Sequence, residues 1–175
     1  QIFSHGHMVW LDTNHQQMLG DDALLNIGFH IERWQEIEYM EDEMKQLRSN
    51  VNEHLWDDKT GFLYDRYGDG TLCTTKGIGA FWALQTDALG KDRLDRMVAH
   101  LSDTTEFART HRVPSLSADP PKYPPAGRYW QGGDRPGPNY MVLAGRVRKG
   151  DRHEPFPRRL SGSEKHRNLL GVLCP

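Results

Sequence analysis

The run Gly127-Arg128-Tyr129-Trp130-Gln131-Gly132-Gly133 is the most informative segment of the 175 residues. Two flat aromatic rings stand beside a side-chain amide that can both donate and accept, and two glycines follow that let a ligand approach the backbone. A sugar ring offers apolar C–H faces and a rim of hydroxyls, so this mixture suits a carbohydrate. A tryptophan next to glycine also packs into cores, and the run has to be read with its surroundings. It lies on an aperiodic stretch from Ser102 to Gly137, rich in Pro, Ser, Asp and aromatics, that also carries His111, Arg112 and Asp119. A connection of that length is usually functional or disordered, and its aromatics with isolated His and Arg residues favour function. Tyr129, Trp130, Gln131, Gly132, Gly133, His111 and Asp119 are the candidate substrate-binding residues.

Other chemistries find less support. Cys73 and Cys174 are far apart, with no metal-ligand spacing, so no zinc site and no disulfide framework is expected. His5-Gly6-His7 reads as a terminus, and Asp57-Asp58-Lys59-Thr60-Gly61 lacks the ligand series of a calcium loop. No metal and no cofactor is expected. The formal net charge is −2 and the pI about 6.5, which does not favour nucleic acid. The basic stretch from Arg146 to Arg167 reads as a solvated surface. No apolar run approaches the roughly 20 residues that cross a bilayer, so no membrane partner is expected. The partner expected is a small carbohydrate; oligomeric state stays open, and compartment too, with a slight lean to the cytoplasm.

The elements that must hold these residues are helical. Leu24, Ile27, Ile31 and Trp34 fall at helical spacing, with Asp12 and Thr13 as caps upstream. Met40, Met44, Leu47, Val51 and Leu55 form a second stripe among charged residues, making a hairpin with the first through Gln35 and Glu36. Ile78, Phe81, Trp82 and Leu89 predict a third helix closed by Gly90 as its C-cap. Leu94, Met97, Val98 and Leu101 predict a fourth, and Tyr140 to Val147 a fifth, beginning after Pro136-Gly137-Pro138. A small β-hairpin is expected from Phe62 to Leu72, around Tyr67-Gly68-Asp69-Gly70. Trp56 and Trp82 are expected between helices. Length and composition suit one globular domain over residues 1–150, followed by a poorly patterned tail over 151–175.

Several words in order carry a family resemblance. They are Trp10-Leu11-Asp12-Thr13-Asn14 with Gln16-Gln17; Asn52-Glu53-His54-Leu55-Trp56-Asp57 with Thr60-Gly61-Phe62 and Tyr64-Asp65; and Ile78-Gly79-Ala80-Phe81-Trp82-Ala83-Leu84. They continue with His111-Arg112-Val113-Pro114-Ser115-Leu116-Ser117-Ala118-Asp119, the Tyr129 run, and Asn139-Tyr140-Met141-Val142-Leu143. Together they resemble glycoside hydrolase family 63, in its branch of mannosylglycerate and glucosylglycerate hydrolases. That resemblance implies an all-α fold, part of an (α/α)6 toroid, and an inverting α-glycosidase acting on a small α-linked glucoside or mannoside. In such an enzyme a carboxylic acid and a carboxylate stand about 6.5–9.5 Å apart with a water between them.

The resemblance places the acid in a Gly-Trp-Asp type motif upstream of the Asp12 word and the base in a Trp-Glu type motif near the C-terminus. Neither motif occurs here, so both catalytic carboxylates are expected outside the chain and the catalytic residues are unassigned. One departure touches the candidate site. Where the family runs Gly-Gly-Val-Trp-Pro-Pro-Thr-Asn, this chain has Gly132-Gly133-Asp134-Arg135-Pro136-Gly137-Pro138-Asn139, so Arg135 stands in place of a stacking tryptophan. A catalytically dead carbohydrate-binding module and a plain helical interaction protein are the alternatives.

Overall fold

The computed structural model describes residues 8–109, 113–119, 133 and 135–150. Among these the chain is helix-rich, with four α-helices and a few two-residue strands. Strand β1 (Met8–Val9) leads into α1 (Leu11–His30), a 3-10 turn at Trp34–Glu36, and α2 (Tyr39–Asn50). A π-helical turn, Val51–Leu55, extends α2 before β2 (Trp56–Asp57), β3 (Phe62–Leu63) and β4 (Arg66–Tyr67). A 3-10 helix, Ile78–Leu84, then precedes α3 (Lys91–His100) and α4 (Pro136–Gly150).

The second stripe forms as expected. Met44, Val51 and Leu55 are buried along one continuous rod made of α2 and its π-helical extension. Helix α3 also follows its stripe, burying Leu94 and Met97. Helix α4 starts earlier than expected, at Pro136, where a ring that fixes φ and lacks an N–H costs the first turn nothing.

Three expectations fail, each because a partner distant in sequence takes over. Asp12 and Thr13 do not cap the first helix; they lie within its first turn. The Leu11 N–H is satisfied instead by Asp65 Oδ1 at 2.9 Å, from a residue 54 positions away. Gly90 is not a C-cap. It is the N-cap of α3, with φ −64° and ψ 162°, and the segment before it is the 3-10 helix Ile78–Leu84 rather than an α-helix reaching Leu89. That helix is apolar all round: Ile78, Ala80, Phe81, Ala83 and Leu84 are all buried, so burial and not one amphipathic stripe decides its conformation. Finally, Leu24, Ile27 and Ile31 do not face the core. They are 45%, 56% and 56% exposed, while α1 buries Leu11, His15, Met18, Asp21 and Gly28 instead.

The predicted hairpin is only half right. The turn closes as expected, with Tyr67 N–H donating to the Thr71 carbonyl at 2.8 Å, Arg66 paired to Leu72, and Gly70 at φ +89°. Its outer strands pair elsewhere: Phe62–Leu63 runs antiparallel to Trp56–Asp57 across a turn with Gly61 at φ +71°, and Arg66–Tyr67 pairs with Met8–Val9. The Asp57 carboxylate is consumed within that turn, accepting from the Lys59 and Thr60 N–H groups and the Thr60 hydroxyl.

The core centres on Phe62, Phe81 and Phe107, all fully buried. Phe62 meets Phe81 edge-on at 5.6 Å and lies nearly parallel to Phe107 at 6.2 Å; Phe81 meets Phe107 edge-on at 5.1 Å. Helix α4 packs on the Ile78–Leu84 helix so closely that a Cβ on Gly145 would stand 2.4 Å from Leu84 Cβ. Trp56 is buried with the Arg93 and Arg96 guanidinium groups over its ring, whereas Trp82 is only partly covered. The tail over 151–175 lies outside the described residues.

Leu24, Ile27 and, just past the end of α1, Ile31 share a helical face in water, and Phe29 is 71% exposed on another side. We expect this chain to self-associate on that account. Light scattering should report species larger than the monomer, reduced by Ile27→Lys. A monodisperse monomer before and after the substitution would show that water tolerates the face.

Candidate functional site

The segment from Val113 to Asp119 is held in place by residues from four other parts of the chain. It pairs antiparallel with the entry to the Ile78–Leu84 helix: Ile78 N–H donates to Ser115 O at 3.0 Å, Ser117 N–H to Lys76 O at 2.9 Å, and Gly77 faces Leu116. Ala118 N–H donates to Glu106 O at 3.2 Å, and Ser115 N–H to Gly133 O at 3.2 Å. The Asn139 side chain, buried at the start of α4, accepts from Val113 N–H through Oδ1 at 3.0 Å. Four family-like words distant in sequence therefore meet here through their described residues: the His111–Asp119 word, the Ile78 word, Gly133 of the Tyr129 run, and the Asn139 word.

Asp12 lies one residue further along the same line. Gly79 follows Ile78, and a Cβ there would stand 3.4 Å from Asp12 Cβ, so glycine lets α1 approach. Asp65, which holds the N-terminus of α1, has its carboxyl raised above the ordinary range by burial; the Leu11 N–H opposes this and the nearby Asp12 charge adds to it.

Of the seven candidate residues, Asp119 and Gly133 are described. Tyr129, Trp130, Gln131, Gly132 and His111 lie outside the described residues. Asp119 has a side chain 39% exposed, and its Oδ2 accepts from Lys76 Nζ at 3.0 Å. Burial would raise its carboxyl, but the nearby Ser117 hydroxyl and the Lys76 ammonium outweigh that and hold it below the ordinary carboxylate range. The Ser117 Oγ has no hydrogen-bond partner among the described residues, and the direct partner of the Asp119 carboxylate is the Lys76 ammonium.

Lys76 itself was not visible as a site residue. Its ammonium is bonded to Glu106 Oε1 as well as to Asp119. Burial works against that charge, and the two carboxylates more than offset it, holding the group above its ordinary value. Glu106 in turn meets His100 Nδ1 through Oε2 at 2.5 Å, and His100 Nε2 faces the Thr60 carbonyl at 3.1 Å. No local signal marks this set, because Lys76, His100 and Glu106 stand alone in their stretches of sequence and pair only in space. No group of three or more metal-ligating side chains occurs among the described residues. What the arrangement can do is present an ionised carboxylate at fixed geometry to a polar ligand.

The sequence profile of the mannosylglycerate hydrolase MGH1-like glycoside hydrolase domain matches residues 2–166. The structure is similar to that of a glycoside hydrolase family 63 mannosylglycerate hydrolase from Thermus thermophilus in complex with Tris. The TM-score is 0.73 and the identity 19%, over 83% of this chain and 34% of that one. The same enzyme in complex with glucose gives a TM-score of 0.72 at 20% identity, over 83% of this chain and 36% of that one. Neutral trehalase of Saccharomyces cerevisiae gives 0.65 at 15% identity, over 82% and 28%. An uncharacterised protein of Borreliella burgdorferi is 27% identical over 99 residues, 57% of this chain and 21% of that protein. The chain thus spans about a third of the length of the hydrolase structures, and these likenesses are of fold.

Proposed function

We propose, because this chain belongs to the mannosylglycerate hydrolase MGH1-like glycoside hydrolase domain family, that it forms the sugar-binding part of an inverting α-glycosidase on an (α/α)6 toroid. The substrate class is a small α-linked glucoside or mannoside, and Tyr129, Trp130, Gln131, Gly132, Gly133, His111 and Asp119 are its contacts. The observation that carries the reading is the junction of Asp119, Ser115 and Gly133. Ser115 takes hold of Gly133, the last residue of the aromatic run, and Asp119 stands four residues along the same segment with a partly exposed carboxylate. An ionised acceptor suits sugar hydroxyls, and the rings of a Tyr-Trp-Gln run suit the C–H faces. The two motifs that carry the family's carboxylates are absent from these residues, so we propose binding without hydrolysis for this chain by itself. Arg135 in place of a stacking tryptophan weakens that binding, and Arg135→Trp should strengthen it.

Titration of the chain with glucose and with D-glycerate, followed by NMR, tests this. Glucose is expected to shift signals of the Val113–Asp119 segment. Trp130→Ala should weaken its binding by about 1–3 kcal/mol, the scale of a stacked aromatic. If neither compound moves those signals, the sugar-site reading is wrong. If both bind but Trp130→Ala changes nothing, the ring is packed and not a platform.

A further inference from the structure

We propose that Lys76 and Glu106, backed by His100, are positioning residues that fix the Asp119 carboxylate for its ligand; the ligand being a sugar rests on the reading above. Lys76 grips the segment twice, and Glu106 grips it once while also holding Lys76. Lys76 holds the Ser117 N–H with its carbonyl and Asp119 Oδ2 with its ammonium. Glu106 holds the Ala118 N–H with its carbonyl and Lys76 with its carboxylate. Three consecutive residues, Ser117, Ala118 and Asp119, are thereby tied to the same pair, through main chain and side chain together.

The cost of this arrangement argues that it serves more than stability. Lys76 and Glu106 are both 8% exposed as residues, and charges removed from water rarely gain in attraction what they lose in hydration. Apolar side chains of the same size would hold two chain segments together at least as well. What apolar groups cannot do is set the place and charge of a carboxylate that must itself remain reachable. The side chains run in a line: His100 meets Glu106, Glu106 meets Lys76, and Lys76 meets Asp119. A neutral His100 ring can donate to Glu106 or to the Thr60 carbonyl, and an imidazolium to both. The Phe62 ring packs edge-on against His100 at 5.0 Å, so the far end of the chain is anchored in the aromatic core. Asp119, at the other end, is the member whose side chain reaches solvent, at 39% against 9% for Lys76 and 10% for Glu106.

The test is a set of variants in the full chain, with glucose as the probe and two readouts. Lys76→Met keeps the length of the side chain and removes its charge. Lys76→Arg keeps the charge, and Asp119→Asn removes the presented carboxylate. Titration of the Asp119 carboxyl by carbon-13 NMR needs no ligand. Its midpoint should lie below the ordinary carboxylate range in the wild type, rise in Lys76→Met, and be restored toward the wild type by Lys76→Arg. An ordinary midpoint in the wild type, or one unmoved by Lys76→Met, overturns the positioning role. For glucose, Lys76→Met and Asp119→Asn should each weaken affinity by about tenfold, in line with a lost charge-assisted hydrogen bond. Combined, they should weaken it no further, because they remove one interaction. Additive losses, or a Lys76→Met chain that binds as the wild type while Asp119→Asn does not, overturn the proposal. If the wild type binds no glucose, the sugar reading falls, and the carboxyl titration alone decides positioning. If Lys76→Met does not fold, Lys76→Gln is read by the same criteria, and the wild-type midpoint remains decisive.

Discussion

Phe62→Ala is expected to cost about 3–5 kcal/mol of folding stability, the range for truncating a fully buried phenylalanine. The side chain is 0% exposed and touches more rings than any other residue described: Tyr64, Phe81, Phe107 and His100 all lie within 6.2 Å of its centroid. Its removal forfeits apolar burial and opens a void between β3, the Ile78–Leu84 helix and the segment around Phe107. Those walls are set by backbone pairing and cannot all close on it. The loss should spread to the candidate site, because Phe62 braces His100 and His100 meets Glu106. Equilibrium unfolding in urea measures the first effect and the Asp119 titration the second. A loss below about 1 kcal/mol, the level of an ordinary surface-adjacent change, would mean that the aromatic cluster is not the centre of the core.

His15 is expected to make the protein acid-sensitive. Its ring is 0% exposed, and burial pushes its pKa down from 6.5 to about 4. Nδ1 meets the Thr86 hydroxyl at 3.0 Å, and Nε2 has no hydrogen-bond partner among the described residues. A proton on this ring would place a charge in the core, so the folded state binds it less readily than the unfolded chain does. The sign follows directly. Between pH 6.5 and about 4 the unfolded chain binds more protons, so stability falls as the pH falls through that window and levels off below it. At about 1.4 kcal/mol per pH unit, the whole window amounts to about 3 kcal/mol. Carboxylates such as Asp119 that are held below their ordinary range also lose stability in acid, so the comparison is with His15→Gln, which lacks the titration. Urea unfolding at several pH values should give the variant a flatter slope between pH 6.5 and 4. Coincident slopes would show that His15 takes up its proton in the folded state.

What the residues determined by themselves is what local chemistry can encode. The Met40–Leu55 stripe and the Leu94–Leu101 stripe each repeat an apolar side chain every three or four positions, and a helix follows wherever such a face finds a core. The Tyr67–Gly70 turn needs only a glycine free to adopt positive φ. The ordered family words were also legible, since each is a short run whose identity does not depend on its neighbours in space, and the family profile agrees with them over residues 2–166. Tertiary structure decided the matters that depend on which groups meet. Asp12 and Thr13 are good capping residues, yet the Leu11 N–H is satisfied by a carboxylate from Asp65, and no local pattern could nominate it. Gly90 suits either end of a helix, and the packing of Ala88 and Leu89 into the core placed it before α3. Periodicity told that Leu24, Ile27 and Ile31 share a face but not which side of α1 would be covered; contact with α2 and the Ile78–Leu84 helix buried the other side. The Lys76–Glu106–His100 set was invisible for the same reason. Its members stand 30 and 6 positions apart, each charged residue looks solvated in its own stretch, and only the fold removes the water and leaves them one another as partners.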